Sequence, residues 1–328
     1  LQISVKTVEN AYEQLLLEGY IRSEEKRGYY VNKIAVVIGG APGYAAPVKR
    51  FQEETYLADL TANNIRYDRF PFATWAKVMR ETLTDYNTSL LKTVPFNGVL
   101  QLREAIADHL NRYRGMQVSA DHIIIGAGTE YLYNRMLQLL GPDVKFGVEN
   151  PGYRKITKIY DENGVDWDYV NIDDKGMKVD ELRMKDINVA HVSPEHHFPI
   201  GLVMPVARRQ ELLNWAAEEP GRYIIEDDFD CEFRMQGKPI PSIQSRDRSH
   251  RVIYMNTFSK TMVPSLRIGY MVLPEKLMEK YIREVQGPVM HDRYAGLEWI
   301  PHFFSIFRWA FRRKTASSDA WDSTFAAE

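Results

Sequence analysis

A primary amine, two hydroxyls and a guanidinium lie close together in one short stretch of this 328-residue chain. They belong to Thr257, Ser259, Lys260 and Arg267, and apolar segments that we predict to be buried strands flank the stretch on both sides. An amine can form a Schiff base, while a guanidinium and hydroxyls can hold a phosphate dianion. The stretch therefore predicts a site for a phosphorylated aldehyde, although an isolated Ser-Lys pair is more often a solvated turn.

A second stretch places acids at the end of another predicted strand, at Asp227, Asp228 and Asp230. Together with residues 256–270, this strand end resembles the cofactor segments of fold-type I (class I) aminotransferases, which bind pyridoxal 5'-phosphate. The resemblance implies that Lys260 is the catalytic residue that forms the Schiff base. It also implies that Asp227 pairs with the pyridine nitrogen, with Asp228 and Asp230 as alternatives. A solvated acidic strand end is the competing interpretation.

Two further turns resemble parts of the same cofactor site. Small residues stand between a predicted strand and a helix, where backbone N–H groups and the helix dipole favour an anion. Tyr153 follows Pro151 and Gly152, and the resemblance implies that its ring stacks on the pyridine; ordinary packing is the alternative. The resemblance assigns the cofactor phosphate to Ala127, Gly128, Thr129, Thr257, Ser259 and Arg267.

The chain opens with the pattern of a helix followed by a hairpin. Ser4 suits an N-cap, apolar residues then recur with helical period, and Gly19 suits a helix stop. A basic turn at Arg27 follows. This pattern resembles the recognition helix and wing of GntR-family winged-helix repressors. The resemblance implies that Ser4, Lys6, Thr7 and Arg27 contact DNA, whereas a capping helix and hairpin of an ordinary enzyme is the alternative.

Strands alternate with helices along the rest of the chain, which predicts an α/β sheet covered by helices on both faces. With the resemblance, the expected fold is that of fold-type I PLP-dependent transferases, a mixed, mostly parallel sheet, preceded by a partial winged helix-turn-helix. We expect a partial GntR-like winged helix over 1–33, a linker over 34–57, an aminotransferase-like large domain over 58–286 and a divergent or truncated tail over 287–328. The strands are expected at 123–125, 144–148, 189–192, 223–225, 252–255 and 269–273, with helices starting near 74 and covering 100–113 and 129–140.

Composition excludes several classes of protein. The net charge is -2, so nothing global calls for nucleic acid or an acidic membrane. The single cysteine, Cys231, excludes an internal disulfide framework and fits a reducing cytosol. His196 and His197 lack metal-ligand spacing, and no apolar run is long enough to span a bilayer. We predict a cytoplasmic protein without a metal site, and the start at Leu1, inside a helical pattern, suggests that its N-terminus is missing.

A winged helix joined by a linker to an aminotransferase-like domain resembles the MocR/GabR/PdxR group of bacterial regulators. The resemblance implies a homodimer that binds pyridoxal 5'-phosphate, with an amino acid as a possible effector. It implies binding to a DNA operator through the complete parent protein, and control of vitamin B6 or amino-acid metabolism genes.

Three departures from the family distinguish this chain. Phe229 stands where many relatives have a tyrosine, and Phe198 stands where true aminotransferases have an asparagine. Since both family residues contact the cofactor, we predict slow or absent transamination. From about residue 287 the resemblance ends, so no arginine for a substrate carboxylate can be assigned. A working aminotransferase and a degraded gene fragment remain the alternatives to a regulator.

Overall fold

The computed structural model describes residues 4–33, 70–85, 88, 92–232, 241–260, 262 and 264–285. The chain divides into two compact units, residues 1–61 and residues 62–328, and each is described by itself. The predicted linker, 34–57, and the predicted tail, 287–328, lie outside the described residues. Among the described helices, none is both long and apolar enough to span a membrane.

The smaller unit consists of one helix and one antiparallel hairpin. The side chain of Ser4 accepts a hydrogen bond from the backbone N–H of Thr7 at 3.2 Å, which confirms the predicted N-cap. Gly19 has a φ of +75°, a left-handed conformation that lets the chain leave the helix. The ring of Tyr12 packs on that of Tyr29 with centroids 4.7 Å apart, so the helix contacts the hairpin. The elements are α1 (Val5–Leu17), β1 (Ile21–Glu24) and β2 (Gly28–Val31).

The larger unit alternates strands with helices, as the sequence predicts. Its strands are β3 (Ile123–Gly126), β4 (Phe146–Asn150), β5 (Trp167–Asp173), β6 (Gly176–Met177), β7 (Val189–Val192), β8 (Tyr223–Asp227), β9 (Val252–Thr257) and β10 (Gly269–Val272). Its α-helices are α2 (Phe72–Asp85), α3 (Leu100–Tyr113), α4 (Thr129–Leu140), α5 (Arg154–Glu162), α6 (Val179–Met184), α7 (Val206–Glu218) and α8 (Glu275–Val285). Short 3-10 turns lie at Ala120–His122, Gln244–Arg246 and Pro264–Leu266.

All eight strands of the larger unit form one sheet, in the order β3-β10-β9-β8-β7-β4-β5-β6. The central pairs β9–β8, β8–β7, β7–β4 and β4–β5 are parallel. Strand β10 is antiparallel to both of its neighbours, and β6 is antiparallel to β5. The prediction of a mixed, mostly parallel sheet is thus confirmed.

Helices cover both faces of this sheet because successive side chains along a strand point to opposite faces. On β7, Val189 belongs to a core cluster with α4, α5 and α8, whereas the next residue, Ala190, belongs to a cluster with α6 and α7. Ile225 and Ile224 of β8 divide in the same way. All four side chains are completely buried. Strands that are buried on both faces read as continuous apolar runs, which is why the sequence reveals them.

We expect Leu132→Ala to lower the free energy of unfolding by about 2–5 kcal/mol, because Leu132 is fully buried and its loss leaves a cavity beneath the end of β3. Urea unfolding followed by tryptophan fluorescence measures the change. Leu83→Ala on α2, where the side chain is 50% exposed, is the matched control and should change stability by less than about 1 kcal/mol. Equal effects of the two substitutions would contradict this packing.

Candidate cofactor site

Four neighbouring strands bring the predicted site residues together along one side of the sheet. This side is formed by the ends of the strands, and we call it the edge. Gly269 at the start of β10 pairs with Gly126 at the end of β3 on one side and with Thr257 at the end of β9 on the other. Asp227 ends β8, the next strand in the sheet. Residues far apart in sequence therefore lie along one edge, where the carboxyl ends of the parallel strands form a binding crevice.

At one side of this edge, the turn after β3 lies directly against Arg267. A Cβ added to Gly128 would come within 2.9 Å of Arg267 Nη2, so only glycine permits this approach. Gly128 has a φ of +89° and precedes α4, while Arg267 itself adopts a left-handed φ of +52°. The amide of Gly128 donates to Gly126 O, so the N–H groups available to an anion are those of the first turn of α4, which starts at Thr129. We call this turn and Arg267 the anion cradle.

The hydroxyls predicted from the sequence lie beside the start of β10. Thr257 Oγ1 and Ser259 Oγ are 2.9 Å apart, and the backbone N–H of Ser259 donates to Thr257 Oγ1. Thr257 Oγ1 also donates to Ile268 O, the carbonyl next to Arg267. The structure thus holds both hydroxyls next to the segment that carries Arg267. Ala127, which precedes Gly128 in the turn, is exposed at the same edge.

Asp227 is a buried carboxylate with one oxygen still to be satisfied. Its side chain is almost completely enclosed, and Oδ2 accepts a hydrogen bond of 2.6 Å from the hydroxyl of Tyr133 on α4. The second oxygen, Oδ1, has no hydrogen-bond partner among the residues that the structure describes. A buried polar atom without a partner is costly, and a hydrogen-bond donor on a ligand would satisfy this oxygen.

Three residues that were not predicted from the sequence, Tyr133, His191 and Tyr160, lie around Asp227. His191 Nε2 lies 3.7 Å from Asp227 Oδ2, and His191 Nδ1 shares a hydrogen bond of 2.7 Å with the hydroxyl of Tyr160. Burial raises the pKa of the Tyr133 hydroxyl well above its ordinary value, and the nearby Asp227 charge raises it further. Tyr133 therefore remains protonated and can only donate to the carboxylate, which fixes the orientation of Asp227.

Asp228 differs from Asp227 in being paired with a cation, although its Oδ1 also has no hydrogen-bond partner among the described residues. Asp228 Oδ2 accepts hydrogen bonds from Arg114 Nη2 at 2.7 Å and from the hydroxyl of Tyr254 at 2.6 Å. Arg114 Nη2 also forms an ion pair with Glu195, and all three charged side chains are buried. Burial lowers the pKa of Arg114, but the surrounding acidic groups, of which Asp228 has the largest effect, together more than offset this and keep the guanidinium charged. We call Arg114, Glu195 and Asp228 the buried ion cluster.

Lys260 lies just beyond β9, and its side chain is exposed. Burial raises the pKa of Asp230, and the hydrogen bond from His196 and the charge of Lys260 oppose this rise. Asp230 Oδ1 lies 2.8 Å from His196 Nδ1, so Asp230 interacts with the loop after β7. Because β9 ends at Thr257, three residues before Lys260, the lysine follows the end of this strand.

Two exposed aromatic rings lie in the segments that follow β4 and β7. The rings of Tyr153 and Phe198 meet edge to face, with centroids 5.8 Å apart and planes at 82°. Both are about half exposed. Gly152 is required before Tyr153, because a Cβ there would collide with Glu149 O. About half of the Tyr153 side chain is exposed, so part of its ring is available for stacking.

The predicted DNA-contacting residues lie in the smaller unit. The hydroxyls of Ser4 and Thr7 are 2.8 Å apart and close the first turn of α1, while Lys6 is exposed on that turn. Arg27 projects from the hairpin turn, where its side chain is 76% exposed and lies 3.9 Å from Glu24. The structure places three of the four residues at one helix end and the fourth on the hairpin.

The residues of the larger unit fit pyridoxal 5'-phosphate. The unpaired Asp227 Oδ1 suits a protonated pyridine nitrogen, and the anion cradle suits a phosphate group. Lys260 supplies an amine at the same edge. These three features would hold the ring, the phosphate and the aldehyde carbon of one small molecule.

Comparison with known proteins places this arrangement in a family. Residues 56–295 match the family model described as aminotransferase class I and II. The chain is 38% identical over 282 residues to the uncharacterized HTH-type transcriptional regulator YdeL of Bacillus subtilis, covering 85% of this chain and 61% of YdeL. It is 31% identical over 280 residues to the HTH-type pyridoxine biosynthesis transcriptional regulator PdxR of Corynebacterium glutamicum, covering 84% and 59%. The chain spans about three fifths of the length of these relatives.

Solved structures share the fold of the larger unit. The kynurenine aminotransferase of Pyrococcus horikoshii, in complex with PMP, superposes with a TM-score of 0.63 at 25% identity, covering 78% of this chain and 63% of that enzyme. The fold-type I transferase architecture expected from the sequence is confirmed. The resemblance to MocR- and PdxR-type regulators is confirmed as well, by identities of 29–38% across most of the chain.

We expect stability to fall as the pH rises from about 5 to about 9, in part because of Glu149. Burial raises the pKa of its carboxyl to about 8, from about 4.5 in the unfolded chain, although the N–H of Ser193 donates to it. Because the fold favours the protonated carboxyl of Glu149, its contribution to the free energy of unfolding is complete at low pH. This contribution is lost as the pH rises and the carboxyl must ionise in the folded protein. In Glu149→Gln, the decrease in the free energy of unfolding over this pH range should be smaller by roughly 1–3 kcal/mol. Thermal unfolding at a series of pH values measures it.

The exposed Glu104→Gln is the control and should keep the wild-type slope. An unchanged pH profile in Glu149→Gln would show that the buried carboxyl ionises in the folded state without cost.

Proposed function

Because the chain belongs to the class I and II aminotransferase family, we propose that its larger unit binds pyridoxal 5'-phosphate and that the whole protein is a DNA-binding transcriptional regulator which senses this cofactor. The observation that carries the proposal is the unpaired oxygen of the buried Asp227, at the same sheet edge as the anion cradle. The printed names of the relatives YdeL and PdxR, both HTH-type transcriptional regulators, support the regulatory part.

Each cofactor group has a residue suited to it. Lys260 provides the amine that links covalently to the aldehyde. Asp227 Oδ1 accepts a hydrogen bond from the protonated pyridine nitrogen. Tyr133 and His191 hold the Asp227 carboxylate in place. When bound, the protonated ring supplies an electron sink. Tyr153 stacks on the ring and so fixes its plane.

The phosphate is held by groups of complementary charge and geometry. Arg267 donates in a planar fork, and the first turn of α4 adds backbone N–H groups and the positive end of the helix dipole. Ala127 and Gly128 form the turn that leads into α4, and Thr129 is the first residue of that helix. Thr257 and Ser259 supply hydroxyls from the opposite side of β10. The left-handed conformation of Arg267 is kept because its side chain lies directly over Gly128.

Two phenylalanines favour sensing over turnover. Phe198 is half exposed beside Tyr153 and offers no hydrogen-bond donor where true aminotransferases have an asparagine. Phe229 offers none where many relatives have a tyrosine. Without these two donors the phenolic oxygen of the cofactor would have fewer hydrogen bonds to the protein. The protonation of the Lys260 nitrogen that is joined to the cofactor would then be less well controlled. We propose that transamination is slow or absent; an active aminotransferase is the second candidate, supported by the presence of both Lys260 and Asp227.

DNA recognition is assigned to the smaller unit of the whole protein. The N-terminus of α1, with Ser4, Lys6 and Thr7, would enter the major groove of an operator, and Arg27 of the hairpin would contact the backbone. A cofactor-dependent change in the population of two arrangements would alter operator affinity, provided that the cofactor binds them differently. We further propose a cytoplasmic homodimer that responds to an amino acid and controls vitamin B6 or amino-acid metabolism genes.

Titration with pyridoxal 5'-phosphate tests the cofactor site. We expect the wild type to develop the visible absorption band of a lysine-linked cofactor, and Lys260→Ala to lose it. Asp227→Asn should retain the band but bind the cofactor about tenfold more weakly or worse, since a charge-assisted hydrogen bond to the ring nitrogen is lost. Lys276→Ala, an exposed lysine on α8, is the matched control and should behave as the wild type.

The absence of a band in the wild type would sink the cofactor proposal and favour a degraded fragment. Rapid bleaching of the band by common amino acids would favour the aminotransferase instead.

DNA binding is tested on the whole protein with a duplex that it selects from a random library. Lys6→Ala and Arg27→Ala should each weaken binding and lower the slope of log affinity against log salt by about one, because each removes a phosphate contact. Lys175→Ala, an exposed lysine of the larger unit, should leave the slope unchanged. Unchanged slopes in all three variants would remove these residues from the interface.

A further inference from the structure

A second cavity lies at the sheet edge opposite the cofactor site. It has a volume of about 830 Å³ and is bounded by the first residue of β9, Val252, and the last residue of β10, Val272. The cofactor residues lie at the other ends of these strands, about 15–20 Å away by the rise of a six-residue strand. A ligand in this cavity would therefore be distinct from the cofactor.

Positive charge is concentrated at the rim of this cavity. Arg246 and Arg248 are exposed there, and His250 and His122 line it as well. Among the residues that the structure describes, neither arginine takes part in an ion pair. The one carboxylate among the described lining residues is Asp247, and its two oxygens already accept four hydrogen bonds.

The loop that carries these cations is held in one conformation. Asp247 accepts hydrogen bonds from the N–H and hydroxyl of Ser249 and from the N–H groups of Arg251 and Val252, which ties the loop to the start of β9. His250 adopts a left-handed φ of +55°, an unfavourable conformation for a residue with a side chain. The two arginines are thus presented from an ordered turn rather than from a mobile loop.

Beneath the cationic rim the cavity has an apolar floor. The side chains of Val118, Leu213 and Leu273 are buried there, and Ala217 of α7 lies at the side. The volume falls in the range of sites for small organic ligands. A small molecule that combines an anionic group with an apolar part would match the cationic rim and these apolar side chains.

We propose that this cavity binds a small organic phosphate monoester, with its phosphate between Arg246 and Arg248 and its apolar body over Leu213 and Ala217. Two planar guanidinium groups match the oxygens of a phosphate dianion better than those of a smaller anion. The proposal does not rest on the cofactor function, because none of these residues belongs to the cofactor site.

Phenyl phosphate, with inorganic phosphate and phenol alongside, probes the cavity by isothermal titration calorimetry of the whole protein, loaded with one equivalent of pyridoxal 5'-phosphate and freed of excess cofactor, which is itself a phosphate monoester and would compete. We expect saturable binding of phenyl phosphate that is tighter than that of either fragment. R246Q/R248Q should weaken it about tenfold or more through the loss of two charge-assisted contacts. Ala217→Trp, an exposed position, should block it by filling the cavity without removing charge.

R80Q/R283Q removes the same charge from exposed positions on α2 and α8 and should leave binding unchanged. Equal binding in the wild type and R246Q/R248Q, or no saturable binding in the wild type, would overturn the proposal. Loss of duplex DNA binding in R246Q/R248Q without phenyl phosphate binding in the wild type would instead assign the loop to the DNA backbone. If the protein does not bind pyridoxal 5'-phosphate, comparison of R246Q/R248Q and Ala217→Trp with the wild type still shows whether phenyl phosphate binds in this cavity.

Discussion

The buried ion cluster is the constraint on which the geometry of the site depends. Arg114 joins the end of α3 to the end of β8 through Asp228 and to the loop after β7 through Glu195. Charges this deeply buried are tolerated only as a complete set, since removal of one partner strands the others at a cost of about 3–5 kcal/mol. With Asp228 held in this way on one side, its neighbour Asp227 is left to face the crevice. The same cluster anchors the loop that carries Phe198, so one set of charges orders both sides of the candidate site.

Support for Asp227 comes from a part of the chain that no local pattern connects to it. Tyr133 is a helix residue that sequence alone assigns to packing, and His191 lies within an apolar strand where a histidine is unremarkable. The role of Tyr133 becomes visible only in the folded protein, where α4 places its buried hydroxyl within hydrogen-bond distance of the Asp227 carboxylate. Hydrogen bonds between residues distant in sequence have no periodicity, which is why the sequence analysis named the carboxylate but not its partners.

The sequence predicted the strands of the large sheet well because they are buried on both faces and therefore read as apolar runs. It placed β7 at the observed residues and β4 two residues too early, since Val144 extends the apolar run before the strand begins. It did not find β5, where partly buried and polar residues are mixed, or β6, which has only two residues, and it could not order the strands. The position of β10 between β3 and β9 is a tertiary property. The same insertion brings Arg267 onto Gly128, a contact that the sequence suggested only through family resemblance.

That insertion also sets the order in which the molecule can be made. Strand β3 meets its partner β10 only after the whole central sheet has been synthesised, so during translation β3 has an open hydrogen-bonding edge. That edge stays open until the residues of β10, up to residue 272, have been synthesised. Gly128 follows β3 and Arg267 precedes β10, so a nascent chain cannot form the anion cradle before these two strands have paired. A chain that has not closed its sheet therefore lacks the site that we propose for phosphate.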